Sequence, residues 1–202
     1  MNEVTVAFAS QAVLGESPVW SPSIARLLWV DTLGASLNIF DPITGQNVAH
    51  AMPSPLGFVA ETPAGRWIIG TGCHVELVGR SGERQRIATA PDGKAGYRFN
   101  DASLDPSGRL WVGLMNEELK EGSGYLYRLD PGGAAIARIS PEGYIASTIA
   151  FPVPRPTSCA FDATGQHLFV TSARLGLSRS EIERAPASGG ALLRIDYKQV
   201  TA

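Results

Sequence analysis

A chain of 202 residues with 44% hydrophobic and 18% charged residues holds enough apolar mass for one substantial core, which excludes a disordered chain. Its net charge of −2 gives no basic footprint, so neither nucleic acid nor an anionic membrane is expected as a partner. No apolar run is long enough to span a bilayer, the N-terminus has no leader pattern, and Cys73 and Cys159 cannot form a disulfide framework; a cytoplasmic address is the expectation.

The 22 glycines and 14 prolines cut the chain into short segments with little room for long helices. The first apolar segment is Thr5-Val6-Ala7-Phe8. Next come a strand at Pro18-Val19-Trp20, a turn at Ser21-Pro22-Ser23-Ile24-Ala25, and a buried strand at Arg26-Leu27-Leu28-Trp29-Val30. Leu37-Asn38-Ile39-Phe40 follows as a third strand and ends at Asp41-Pro42. The same unit returns around Thr62-Pro63-Ala64-Gly65, Asp105-Pro106-Ser107-Gly108 and Asp162-Ala163-Thr164-Gly165, each turn lying between two short apolar strands. Tyr125-Leu126-Tyr127-Arg128-Leu129 is the third strand of the third unit.

The turn anchors Pro22, Pro63, Pro106 and Ala163 are spaced by 41, 43 and 57 residues. Propeller blades of four strands repeat at about 40–50 residues. The expected fold is therefore all-β: a β-propeller of four-stranded antiparallel blades, in a single domain over 1–202, with about four blades' worth of chain. A β-sandwich does not account for so regular a period. Residues 5–8 are expected to supply the outer strand of the last blade and close the ring. The long last interval holds a second strand-and-turn, Ala137-Arg138-Ile139-Ser140-Pro141, directly after the third strand and turn of the preceding blade. With no inner strands between them, an internal deletion with its junction near 133–136 is expected.

Five residues before each turn lie Glu16, Gly57, Asn100 and Thr157, near the start of the innermost strand of each blade. Propeller geometry would bring such equivalent positions to one mouth of the central channel.

Three stretches carry a resemblance. Leu14-Gly15-Glu16-Ser17-Pro18-Val19-Trp20, Arg98-Phe99-Asn100-Asp101 with Asp105-Pro106-Ser107-Gly108-Arg109-Leu110-Trp111, and Pro156-Thr157-Ser158-Cys159-Ala160-Phe161 resemble the SMP-30/gluconolactonase family in the family's order. The resemblance implies a six-bladed propeller that hydrolyses sugar-type lactones with a divalent metal ion, calcium or zinc. It makes Glu16 similar to a metal-ligating carboxylate, and Arg98, Asn100 and Glu118 similar to substrate-holding residues. The family's other two protein ligands, an Asn and the Asp that serves as general base, have no counterpart, and about two blades are missing with them. Weakened metal binding follows, because Glu16 alone is far from the 6–8 oxygens of calcium or the three protein ligands of catalytic zinc.

The remaining polar and aromatic residues read as structural. His50, His74 and His167 show no triad or ligand spacing, and Trp20, Trp29, Trp67 and Trp111 occupy repeat-core positions. Cys73 and Cys159 are expected as small buried apolar residues. Glu118 stands in an acidic patch with Glu117 and Glu121. Two functions are therefore expected: a metal-dependent sugar lactone hydrolase acting on a small-molecule lactone, or a non-catalytic propeller that binds a polyhydroxylated ligand. A chain that no longer closes would expose strand edges and associate.

Overall fold

The structure is a computed structural model that describes residues 4–79, 81–104, 108–118, 125–129, 136–138, 156–164, 166–175, 178–180 and 190–196. The chain divides into two compact units, Met1–Met52 with Ile149–Ala202, and Pro53–Thr148. Each holds two four-stranded antiparallel sheets, so the chain has the propeller-blade fold that the repeat predicts. None of the described helices is long and apolar enough to cross a membrane.

In the first unit, one sheet runs β2 (Gly15–Ser21), β3 (Arg26–Asp31), β4 (Ser36–Phe40) and β5 (Asn47–Ala51), in chain order. The other runs β14 (Pro156–Phe161), β15 (His167–Ser172) and β16 (Leu192–Asp196), and then takes β1 (Val4–Phe8) as its outermost strand. Val4 pairs with Ile195 and Phe8 with Leu192, so the N-terminal segment completes the last sheet as expected. The two sheets share a core of Leu27, Trp29, Phe40, Phe169 and Leu192, with the Phe40 and Phe169 rings edge to face at 6.0 Å. Such a contact adds to the area the rings bury.

In the second unit, one sheet runs β6 (Leu56–Glu61), β7 (Trp67–Thr71), β8 (His74–Val78) and β9 (Arg84–Thr89). The other runs β10 (Tyr97–Leu104), β11 (Leu110–Asn116), β12 (Tyr125–Leu129) and β13 (Ile136–Arg138). Phe58, Ile68, Val75, Phe99, Leu110, Val112, Leu114 and Tyr127 form their common core. The linker between the two sheets is pinned from within: the Tyr127 hydroxyl donates to Asp92 at 2.5 Å.

One expectation is corrected. Ala137 and Arg138, read as a second third strand, belong to β13, which pairs antiparallel with β12 and closes the β10–β13 sheet. The preceding blade is therefore complete. The segment expected to hold the junction lies outside the described residues apart from Ile136, as do Asp105-Pro106-Ser107 and Glu121.

Trp29 is buried and its indole N–H donates to Asn47 at 3.0 Å, while Trp20 packs against the first unit's core, in keeping with structural roles. Cys73 is half-buried, and its thiol donates to the Tyr97 carbonyl at 3.1 Å. The side chain of Cys159 lies outside the described residues.

Candidate functional site

All four innermost strands break register at the same place. In β2 the pairing passes from Glu16↔Val30 to Val19↔Leu28, so Ser17 and Pro18 stand against one residue, Trp29. In β6 Gly57 is the extra residue between Leu56↔Thr71 and Phe58↔Gly70. In β10 Asn100 and Asp101 stand against Gly113 alone, and in β14 Thr157 is extra. A bulge bends the strand and re-aims the side chains beside it, a recurrent device next to binding sites. The positions found by counting back from the turns therefore sit at or beside bulges. Ser17 takes φ of +48° at the first of them.

Close backbone approach explains the residue types here. A Cβ on Gly57 would lie 2.3 Å from the Phe99 carbonyl oxygen, so β6 and β10 touch main chain to main chain just where Asn100 begins its bulge. In the first unit, a Cβ on Gly15 would lie 2.9 Å from the Ser172 carbonyl oxygen. Both glycines are required by space, since no side chain fits where the backbones of neighbouring sheets meet.

In the second unit Arg98 is the organising residue. Its side chain is buried, and Nη1 donates to the Phe99 carbonyl at 3.0 Å and to Asn100 Oδ1 at 3.2 Å. Its Nε lies 3.8 Å from Glu117 Oε1. Because Asn100 Oδ1 accepts from a guanidinium, the amide orientation is fixed and its NH2 is presented as a donor. Arg98 and Asn100, both expected at the site, are thus brought together. Glu118 is exposed, and its backbone N–H donates to Asn116 Oδ1 at 2.9 Å in a turn. A carboxylate within ion-pair distance of Arg98 is that of Glu117, which the sequence alone assigns to a solvated acidic patch. The signal lies in the ladder: Arg98 pairs with Met115, and the Glu117 N–H bond to the Gly96 carbonyl carries the β10–β11 pairing one step past Tyr97↔Asn116, so Glu117, two residues beyond Met115, shares the face of Arg98.

In the first unit Glu16 is a buried carboxylate on β2. The loop ahead of it is held by Asp31, which no sequence motif singles out. Both Asp31 oxygens accept main-chain donors, Oδ2 from Val13 and Oδ1 from Leu14 and Gly34, each at 3.0 Å. Gly34 has no room for a Cβ, which would fall on the Asp31 carboxylate. The Thr32 N–H donates to the Leu14 carbonyl at 2.9 Å, and Leu14 bridges to Ala173. Asp31 is thereby committed to the main chain. Thr157 lies on β14, with its side chain outside the described residues.

Among the described residues no three His, Cys, Asp or Glu side chains gather as a metal-holding group. Calcium takes about 6–8 oxygens and catalytic zinc about three protein ligands. The described acidic, imidazole and thiol donors do not fit a divalent metal by themselves.

Comparison with known proteins follows the same lines. The family model for the SMP-30/Gluconolactonase/LRE-like region matches residues 14–136 and 131–174. A 6-deoxy-6-sulfogluconolactonase of Pseudomonas putida is 34% identical over 132 residues, 64% of this chain and 45% of that protein. Regucalcin of Gallus gallus is 34% identical over 129 residues, 61% of this chain and 43% of that protein. The matched stretch thus spans less than half the length of these curated relatives. Among solved structures, regucalcin from Agrobacterium tumefaciens, a calcium-binding protein, superposes with a TM-score of 0.83 at 18% identity, over 98% of this chain and 96% of that one, which speaks for the fold alone. With a family match over most of its length and blades that place the motif residues at repeated bulges, the chain belongs to the SMP-30/Gluconolactonase/LRE-like family.

Proposed function

We propose that this chain binds sugar-type lactones and opens the lactone ring by hydrolysis. The observation that carries the reading is the Arg98–Asn100 pair at the β10 bulge. A buried guanidinium beside an amide with a fixed donor face suits a ligand rich in oxygen acceptors. In hydrolysis water adds to the lactone carbonyl, charge builds on the carbonyl oxygen, and the ring C–O bond breaks to give a hydroxy acid. Preorganised N–H donors are worth most where that charge develops. Asn100 Nδ2 and Arg98 are the donors of the second unit that suit this role, and the carboxylate beside Arg98 is Glu117. Glu16, at the same register position in the first unit, is the acid proposed as a metal ligand; the regucalcin from Agrobacterium tumefaciens is named as calcium-binding, which motivates a metal arm in the test.

A second reading, a non-catalytic sugar-binding propeller, is favoured by the residue types at the four bulge positions: one carboxylate, one amide, one hydroxyl and one glycine. Within each unit such groups suit hydroxyls, and of the four only Glu16 is a base. Ring opening of glucono-δ-lactone, followed by proton release in weak buffer, separates the two. The hydrolase reading expects turnover above the spontaneous rate in at least one of calcium, zinc or manganese, abolished in Arg98→Ala. Folded protein, checked by circular dichroism, that binds gluconate without accelerating ring opening supports the binding module instead.

A further inference from the structure

Ring opening needs a base as well as donors, and within the second unit the Arg98 guanidinium reaches both kinds of group. Nη1 holds Asn100 Oδ1 at 3.2 Å, which leaves the Asn100 NH2 as a donor, and Nε faces Glu117 Oε1 at 3.8 Å. At that separation the contact is electrostatic and not a hydrogen bond, so Oε1 remains able to accept a proton from water. Water reaches it, because the Glu117 side chain is 45% exposed while that of Arg98 is 8% exposed. The backbone fixes where the carboxylate stands. Arg98 pairs with Met115, and the Glu117 N–H donates to the Gly96 carbonyl at 2.8 Å, so Glu117 shares the face of Arg98. Three other carboxylates of the unit are engaged elsewhere: Asp92 accepts the Tyr127 hydroxyl, Asp101 the Ala102 amide, and Glu76 pairs with Arg84.

We infer that Glu117 is the general base of the ring opening, a catalytic residue that takes a proton from the attacking water. The inference rests on the lactone reading above and adds the group that reading lacks. The water oxygen bonds to the lactone carbonyl carbon while Glu117 Oε1 takes one of its protons, and the carbonyl π pair moves onto the carbonyl oxygen, towards the Asn100 N–H. Collapse restores the carbonyl and breaks the ring C–O bond. Glu117 then returns its proton to the departing ring oxygen, which gives the hydroxy acid and regenerates the carboxylate. Arg98 serves both partners, fixing the amide and keeping the carboxylate beside it. The family resemblance gives Glu117 no role and leaves its own base without a counterpart.

The test separates turnover from binding in the full chain. Glu117→Gln keeps the shape of the side chain but cannot take the proton. Its kcat for glucono-δ-lactone, corrected for the spontaneous rate and measured with the metal ion that suits the parent best, should fall about a hundredfold or more, the low end of what a positioned base contributes. Affinity for glucono-δ-lactam, a lactone analogue that does not hydrolyse, should stay within about twofold by calorimetry, as for a screened contact. In Glu117→Ala, added formate should restore part of the lost turnover and leave the parent's rate unchanged. The inference is overturned, with the lactone reading left standing, by any of four results: kcat retained in Glu117→Gln, an equal loss of affinity (which would assign Glu117 to binding), no response of Glu117→Ala to formate, or turnover lost only in Glu118→Gln. A folded parent chain without turnover overturns the hydrolase reading and this role with it.

Discussion

A Cβ on Gly57 would sit 2.3 Å from the carbonyl oxygen of Phe99, so the innermost strands of the second unit's two sheets meet without an intervening side chain. Backbone cannot swing aside as a flexible side chain can. Gly57→Ala is expected to cost about 1–3 kcal/mol, the range of overpacked sites. Gly113→Ala is the control, because its nearest neighbour would be 3.9 Å away. Urea unfolding midpoints decide: a Gly57→Ala midpoint matching that of Gly113→Ala would mean that β6 and β10 are not packed this closely.

Arg98 and Glu117 should respond very differently to substitution. The guanidinium is buried and holds Asn100, whereas the Glu117 side chain is 45% exposed. Glu117→Gln is expected to lower stability by less than about 1 kcal/mol, as exposed ion pairs do. Arg98→Lys keeps the charge but gives up the planar fork that reaches two acceptors at once. Gluconate affinity should fall about tenfold or more in Arg98→Lys and stay within about twofold in Glu117→Gln, the expectation for one charge-assisted contact against a screened one. Equal losses in the two variants would show that the ion pair, rather than the Arg98–Asn100 bond, matters.

Much of this is legible in the chain because it is periodic. Turn residues before Arg26, Trp67, Leu110 and His167 set the blades, and counting back from them locates Glu16, Gly57, Asn100 and Thr157 at or beside the bulges. The bulges themselves are not legible, since one extra residue leaves no compositional mark. Glu117 and Glu118 are chemically identical neighbours, and only the register of β11 against β10 puts Glu117 on the face of Arg98. Asp31 carries no signal of its own because its partners are main-chain amides, which nearly every residue carries. The outer strand β13 reads as a third strand because the two share the same local pattern.

Asp31→Asn tests the clasp ahead of Glu16. The carboxylate accepts three main-chain N–H groups, and an amide offers one acceptor oxygen in place of two while setting its own donors against the rest. At least one amide is left unpaired, at about 1–3 kcal/mol. Hydrogen exchange should show the Val13, Leu14 and Gly34 amides losing protection ahead of those in β4. Unchanged protection at all three would refute the clasp.

On the alkaline side, Tyr127 is the residue to follow. Burial, together with the hydrogen bond to Asp92 and that carboxylate's charge, pushes its phenol well above the ordinary value. The bond's contribution to stability is full below the unfolded pKa of about 10 and is lost as the pH rises beyond it, because the unfolded chain releases that proton more easily. Ultraviolet titration of phenolate should therefore show one tyrosine ionising last, and Tyr127→Phe should remove that step. A parent chain whose five tyrosines all titrate near pH 10 would contradict the Asp92 bond.

On the acid side, Asp162 of the first unit is the carboxylate to follow. Burial opposes the charge of its carboxyl, but hydrogen bonds from His167 and Thr164 outweigh it, and the pKa is held below the ordinary carboxylate value. Asp162 Oδ2 lies 2.8 Å from His167 Nδ1, and Oδ1 accepts the Gln166 and His167 amides, so one carboxylate ties together the turn between β14 and β15. Since folding lowers this pKa, the contribution is complete above the unfolded value of about 4 and drains away as the pH falls through the folded value. Asp162→Asn should therefore lower the thermal midpoint at pH 7 and flatten its fall below pH 4, the two curves converging in acid. Curves that stay parallel down to pH 2 would show that this carboxylate carries no pH-linked stability.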